Sequence, residues 1–283
     1  MKNRSDLVLK AFLTRCPPEK KKALEHFLPS STRRVLEEIS PFPETVTAEV
    51  FANGALLERV HWSWFLPTLK TYPKREQTLF LSAIGGIAAQ NLAKTLEIND
   101  AEENLSGISR TFLRELLRSS LLGPTERLLP INYLPQSPLS QLLEMSKKDL
   151  VRFIDYLSLY DLAHEIRQIV ETKILKKIYS LLSDGEREFL KAASRQKETH
   201  LLPRIGLDRW DGKEESFRRL LHRRGLARFG AALSSQDPDF VWYVCHQLDI
   251  GRGNTLFKLS KTEDGKECLQ QAVDLLNRRD HLS

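Results

Sequence analysis

The chain is short of the residues that bring most chemistry into a fold. Its 283 residues include three cysteines, two methionines and seven histidines. Cys16, Cys245 and Cys268 are odd in number, far apart and in no metal-ligand spacing. That excludes a disulfide framework and a zinc ribbon, and predicts free thiols in a reducing compartment. The histidines are scattered, and none stands at metal-binding spacing from another histidine, a cysteine or a carboxylate pair. His164 and Glu165 are neighbours on a helical pattern and point in different directions. There is no glycine-rich phosphate loop ending in Lys-Ser/Thr and no nucleophile elbow. In "DIGRGNTL" Leu256 stands where a dinucleotide fingerprint needs its third glycine after Gly251 and Gly253, so the segment reads as a helix stop. Asp149, Asp155 and Asp161 are spaced by six, which does not hold them on one helix face; they read as caps and surface residues. These absences leave no catalytic, metal or cofactor site and point away from an enzyme.

Long apolar runs are lacking as well. "LFLSAIGGIAAQNLA" (79–93) is too short and interrupted to cross a bilayer, and "MKNRSDLVLKAFLTRC" lacks the apolar stretch of a signal peptide. A cytoplasmic protein with no membrane-inserted segment is expected. What is present is ordinary for a folded chain: 41% hydrophobic and 28% charged residues, enough length for about two domains. The 43 basic and 37 acidic residues leave a net charge of +6, which permits an anionic partner without requiring one.

Strand alternation is almost absent, and helix signals dominate. Cys16-Pro17-Pro18 opens a helical pattern with proline in its first turn. A long buried helix is expected from Pro73 to Leu96, with Gly85-Gly86 as a bend or close-packing point. Capping pairs at Ser146/Asp149, Ser158/Asp161 and Ser183/Glu186 predict helices over 146–157, 159–181 and 183–195. The expected fold is all-α: short amphipathic helices in an armadillo-like stack of two or three sub-domains. An ungapped pairing of residues 12–39 with 142–169 suggests an internal repeat. Four prolines in 121–140 mark a linker, and a second break lies near residue 200. The expected units are therefore 1–120, the linker 121–140, 141–199 and 200–283. Trp62 and Trp64, with Phe65, form an aromatic cluster that reads as a packed helix start or as a contact hot spot.

The stretch "LLHRRGLARFGAALSSQDPDFVWYVCHQLD" (220–249) admits two readings. In one, a recognition helix is followed by strands around a "SSQDPD" wing, and the basic 204–228 region, including Arg218, Arg219, Arg223, Arg224 and Arg228, grips nucleic-acid phosphates. In the other, the segment is helix, glycine break, short helix, Asp237-Pro238 cap and helix. Phe240, Val241, Val244, Cys245 and Leu248 then share one face, and Gly251 closes it. The 3.6 period favours the second.

From about residue 140 onward the chain resembles FliG, the flagellar rotor-switch family. Ser216, Leu220 and Leu221 fall on the start of that family's C-terminal domain. "FGAALSSQD", ending at Asp237, is similar to its "LALALKGAD", and the face Phe240, Val244, Leu248 to its next helix. "LLEMSKKDLVRFIDYLSLYDLAHEI" is similar to the middle domain. Two departures matter. The middle domain's "EHPQ" docking motif is replaced around Ser146, Lys147, Lys148 and Asp149, and the adjacent acids of the stator-facing helix fall on Ala227 and Arg228. The resemblance therefore implies a non-rotary relative: an SctK-type adaptor of a type III secretion apparatus, needing no cofactor. Such a protein would sit in the cytoplasm, peripheral at the inner face of the inner membrane, linking the inner-membrane ring to a cytoplasmic, C-ring-like sorting platform. Ser146, Lys147, Lys148, Asp149, Trp62, Trp64, Arg223, Arg224 and Arg228 are the expected protein contacts, the arginines as a partner-facing rim.

Overall fold

Prolines, glycines and capping side chains divide the chain into short helices. The computed structural model describes residues 4–39, 53–99, 103–123, 128–195, 207, 210–261 and 265–278. Every regular element among them is helical. The α-helices are α1 (Arg4–Arg15), α2 (Pro18–Phe27), α3 (Ser30–Glu38), α4 (Asn53–Arg59), α5 (Leu66–Leu69), α6 (Lys74–Ile84), α7 (Gly86–Leu96) and α8 (Gly107–Leu122). They continue as α9 (Lys147–Glu165), α10 (Thr172–Leu181), α11 (Asp184–Ala193), α12 (Glu214–Leu233), α13 (Pro238–Gln247), α14 (Ile250–Leu259) and α15 (Lys266–Asn277). The all-α fold stands.

Several boundaries differ from expectation, each for a local reason. The helix expected over 73–96 is two helices, because Gly85 (φ +71°) and Gly86 (φ +60°) leave the helical region. Ser158 caps nothing. It lies fully buried inside α9, and its hydroxyl donates back to the Asp155 carbonyl (2.6 Å). The helix therefore runs on to Glu165, and α10 starts only at Thr172. Ser146 and Ser183 do cap α9 and α11, the latter as a full reciprocal box with Glu186. Residues 12–39 break at prolines into α1, α2 and α3, whereas 142–169 hold the single long α9, so the two paired segments are different units.

The regular elements of the contested stretch are all helical, α12 and α13 joined by a short turn at 234–237. Helix α12 passes Gly225 and Gly230 without a break. A Cβ on Gly225 would lie 1.9 Å from the Ile154 carbonyl oxygen, and one on Gly230 would lie 2.4 Å from Leu259 Cβ. Both glycines let helices cross closely, α9 over α12 and α12 over α14, rather than ending one. Asp237 caps α13 by accepting from the Asp239 amide (2.9 Å). Helix α13 ends at Leu248 in extended backbone because Asp249 immediately caps α14, which places Gly251 inside a helix rather than at a stop. The strands and wing of the nucleic-acid reading are absent from these residues.

Helix α9 is the axis of the fold. Phe153 meets Phe229 of α12 edge-on (5.4 Å), and Tyr156 and Tyr160 meet Phe189 of α11 in the same way. Burying each such ring contributes roughly 1.5–3 kcal/mol. Touching buried side chains form one core from Leu57 to Leu276, continuous across residues 140 and 199. Residues 128–140 are strapped onto it: the Leu129 amide donates to Asp239 (2.9 Å), the Tyr243 hydroxyl donates to the Leu129 carbonyl (2.9 Å), and Leu139 is fully buried. The prolines there interrupt helices as expected, but this part of the segment is packed rather than a free linker. A small second core under α1 and α3 joins Leu13, Leu36 and Ile39 to Leu129.

Candidate functional site

The sequence-selected residues divide into those that reach a shared surface and those withdrawn from it. The surface is built where the turn at 61–65, the start of α9, the middle of α12 and the start of α14 converge. Ser146 caps α9, accepting from the Asp149 amide (3.2 Å) and donating to its carboxylate (2.6 Å), so both residues are engaged in starting the helix. Lys148 projects outward. Lys147 turns towards His61, with Nζ 2.6 Å from Nε2. On the other side of the ring, Nδ1 caps the 61–65 turn by accepting the Ser63 amide (3.3 Å) and lies 2.8 Å from the Ser63 hydroxyl. Ser63 in turn accepts the Ile250 amide (2.9 Å).

A second histidine repeats the arrangement. Arg252 Nε donates to His222 Nε2 (2.9 Å), which leaves the Nδ1 proton for Asp155 (2.6 Å). Asp249 joins the two halves: it lies 3.9 Å from Lys147 Nζ and is ion-paired to Arg252. The result is one polar ladder, Ser63–His61–Lys147–Asp249–Arg252–His222–Asp155, mostly half-exposed. Burial, reinforced by the Lys147 charge, lowers the His61 pKa to about 4. Burial also lowers that of Lys147. For Asp249 burial acts upward, but the hydrogen bonds and charge of Arg252 and Lys147 outweigh it and hold the pKa below the ordinary value. The ladder is a fixed pattern of alternating charge at Lys147, Asp249, Arg252 and Asp155, suited to docking a complementary polar surface.

Behind it, His246 is stacked between Trp242 (3.7 Å) and Trp64 (3.9 Å). Its Nδ1 lies 2.7 Å from the Trp242 carbonyl, and burial lowers its pKa to about 4. Trp64 also donates to the Leu248 carbonyl (2.9 Å), and the His61 amide donates to that of His246 (2.7 Å). Trp64 is thus anchored to its own chain at the start of a turn, and both it and Trp62, which lies beside His61, stay half-exposed. Gly253 completes the fit, because a Cβ there would lie 2.4 Å from the Cys245 carbonyl oxygen and 2.6 Å from the Trp64 ring.

The arginine rim needs correction. Arg223 is exposed, but Arg224 is buried and Arg228 is 0% exposed. Asp161 draws both inward. Arg228 holds its carboxylate through Nε (3.0 Å) and Nη2 (2.6 Å), and Arg224 Nε lies 2.9 Å away. Gln271 accepts from Arg228, and the Tyr160 ring lies 5.7 Å from its guanidinium. Neither side chain can meet a partner or a phosphate. Arg218 pairs with Glu186 (2.6 Å), while Arg204 and Arg209 lie outside the described residues.

Comparison of the chain with the profiles of known protein families, with characterised proteins and with solved structures finds no match. Among the described residues no group of three or more His, Cys, Asp or Glu is placed to hold a metal ion, and no helix is long and apolar enough to cross a membrane.

A second surface has no counterpart among the sequence-selected residues. Ile108, Phe112 and Leu116 recur every four residues on α8 and face outward, Ile108 at 85% and Phe112 at 62% exposure. The opposite face, with Leu117, is the one in the core. The signal was present in "GISRTFLRELLRSSLL", but a helix that is apolar on two sides does not declare which side is buried. His61 and His222 carried no readable signal, because Lys147, Asp155 and Arg252 lie far from them in sequence, whereas Asp249 and Arg252 are a local cap pair three residues apart.

Proposed function

We propose that the protein is a non-enzymatic scaffold of a type III secretion apparatus, linking the inner-membrane ring to cytoplasmic platform components. The secretion setting rests on the resemblance of residues 140–283 to FliG. The adaptor role rests on one observation: the outward apolar stripe Ile108–Phe112–Leu116 on a helix whose other face is locked in the core. Large apolar side chains held rigidly at helical spacing are what a partner helix or groove recognises. The polar ladder at Lys147, Asp249 and Arg252 offers a second, charged contact that sets orientation more than strength. A pull-down of the full chain with soluble portions of the ring and platform proteins tests this reading. Binding is expected, and Phe112→Glu should weaken one partner about thirtyfold or more, as for a hot-spot residue of about 2 kcal/mol. Failure to bind either class of partner discards the reading.

A further inference from the structure

Helix α2 is built inside out. None of its residues is buried. At 3.6 residues per turn, Lys20, Ala23, Leu24 and Phe27 share one side, and all four are exposed, Phe27 at 83%. Its polar side chains Lys21, Lys22, Glu25 and His26 instead line a cleft of about 300 Å³ between α1, α2 and α3, where Lys10, Arg33 and Glu37 join them. Lys10 and Arg33 donate to neutral carbonyls, those of Leu36 (2.8 Å) and Leu28 (3.0 Å). The cleft sets Glu25, 3.9 Å from Lys21, and Glu37 against Lys10, Lys21, Lys22 and Arg33, which leaves an excess of cations. Between Arg4 and Ile39 there are eight basic and five acidic residues, so about an eighth of the chain carries half of its net +6. Phe12 of α1 is a further exposed apolar side chain in this unit.

An apolar strip on a convex helix, backed by an excess of cations over carboxylates, matches one surface in particular. A lipid headgroup layer presents anionic charge outermost and apolar depth just beneath it. A helix is about 10 Å across, so the cations behind α2 stand within roughly one Debye length of whatever α2 touches. We propose that α2 docks peripherally on an anionic lipid surface. Leu24 and Phe27 enter the boundary between headgroups and acyl chains, and Lys20, Lys22, Lys10 and Arg33, in excess over the carboxylates of the cleft, supply the attraction. The contact crosses no membrane and is separate from the α8 face, so it goes beyond the scaffold reading.

Flotation of the full chain with phosphatidylglycerol-rich vesicles, and with pure phosphatidylcholine, is the test. Retention is expected on the anionic vesicles alone and should be lost as salt rises. Leu24→Glu with Phe27→Glu, and separately Lys20→Gln with Lys21→Gln and Lys22→Gln, should each weaken it about tenfold or more. Circular dichroism should be unchanged in both variants. Phe112→Glu, which breaks the proposed partner contact, should leave flotation intact, so the two readings fail separately. No retention on anionic vesicles, equal retention on neutral ones, or retention unchanged in both α2 variants overturns the proposal. A wild-type dimer dispersed by Phe27→Glu would assign the face to a second copy, and loss of an acidic protein partner with vesicle binding intact would assign it to that protein.

Discussion

Helices α2 and α12 draw on the same residue types, cations with leucine and phenylalanine, and place them in opposite senses. In α12 Phe217, Leu221, Phe229 and Leu233 are buried together with Arg224 and Arg228, and the exposed positions are Glu214, Glu215, Arg219 and Arg223. In α2 Leu24 and Phe27 reach solvent, while Lys21, Lys22 and Glu25 line the cleft beneath. The difference lies in the neighbours. Helices α9, α14 and α15 surround α12 and supply Asp161 and Gln271 to the guanidinium groups. Helix α2 rests on a cleft. Where a helix is enclosed, charge is buried only beside a fixed counter-charge; where it is open, apolar residues remain available to something outside the chain.

The largest break in this contrast is Asp161→Ala. It strands two buried guanidinium groups and should destabilise the chain by about 3–5 kcal/mol in a denaturant melt. Combining Asp161→Leu with Arg224→Met and Arg228→Met should recover most of the loss, because an apolar replacement leaves no unpaired charge. If Asp161→Ala melts like the wild type, the enclosed network contributes nothing to stability.

A smaller effect comes from His246, whose pKa is near 4 in the folded chain against 6.5 when exposed. A folded pKa below the unfolded one means the unfolded chain binds the extra proton. The stabilisation is complete above pH 6.5 and is lost as pH falls from 6.5 towards 4, by at most about 3 kcal/mol for this group. His61 is lowered to the same value and acts in the same window, to a lesser extent because it is only half buried. His246→Phe should therefore flatten, without abolishing, the fall in stability between pH 6.5 and 4. An unchanged slope would remove His246 from the acid sensitivity of the α13 region.

What could be read in advance was local. The caps at Ser146, Ser183 and Asp237 close within three residues, and the 3.6 period after Pro238 identified α13 as a helix. The same four-residue pattern failed at Ser158/Asp161, because α9 is enclosed and Asp161 is committed to arginines 63 and 67 residues away. Gly225 and Gly230 look like breaks in a sequence and act as contact points in the fold; which they are depends on the backbone crossing them. The ladder was half legible. Lys147 was selected, but its partner His61 lies 86 residues away, and the pairing of His222 with Asp155 spans 67. No short-range pattern encodes such pairs.

The smallest expected effect is the most discriminating. Replacing Leu24 and Phe27 of α2 by glutamate should change the stability of the chain by no more than about 0.5 kcal/mol, because neither side chain fills a core and surface substitutions away from packed features have little effect. The same exchange at Phe229, which is 0% exposed beside Phe153, forces a carboxylate into the core and should prevent folding. Equal chemistry with opposite outcomes separates a side chain kept for folding from one kept for contact. A large loss of stability in the α2 variant would mean that Leu24 and Phe27 are covered by the chain itself, and α2 would then be an ordinary packed helix.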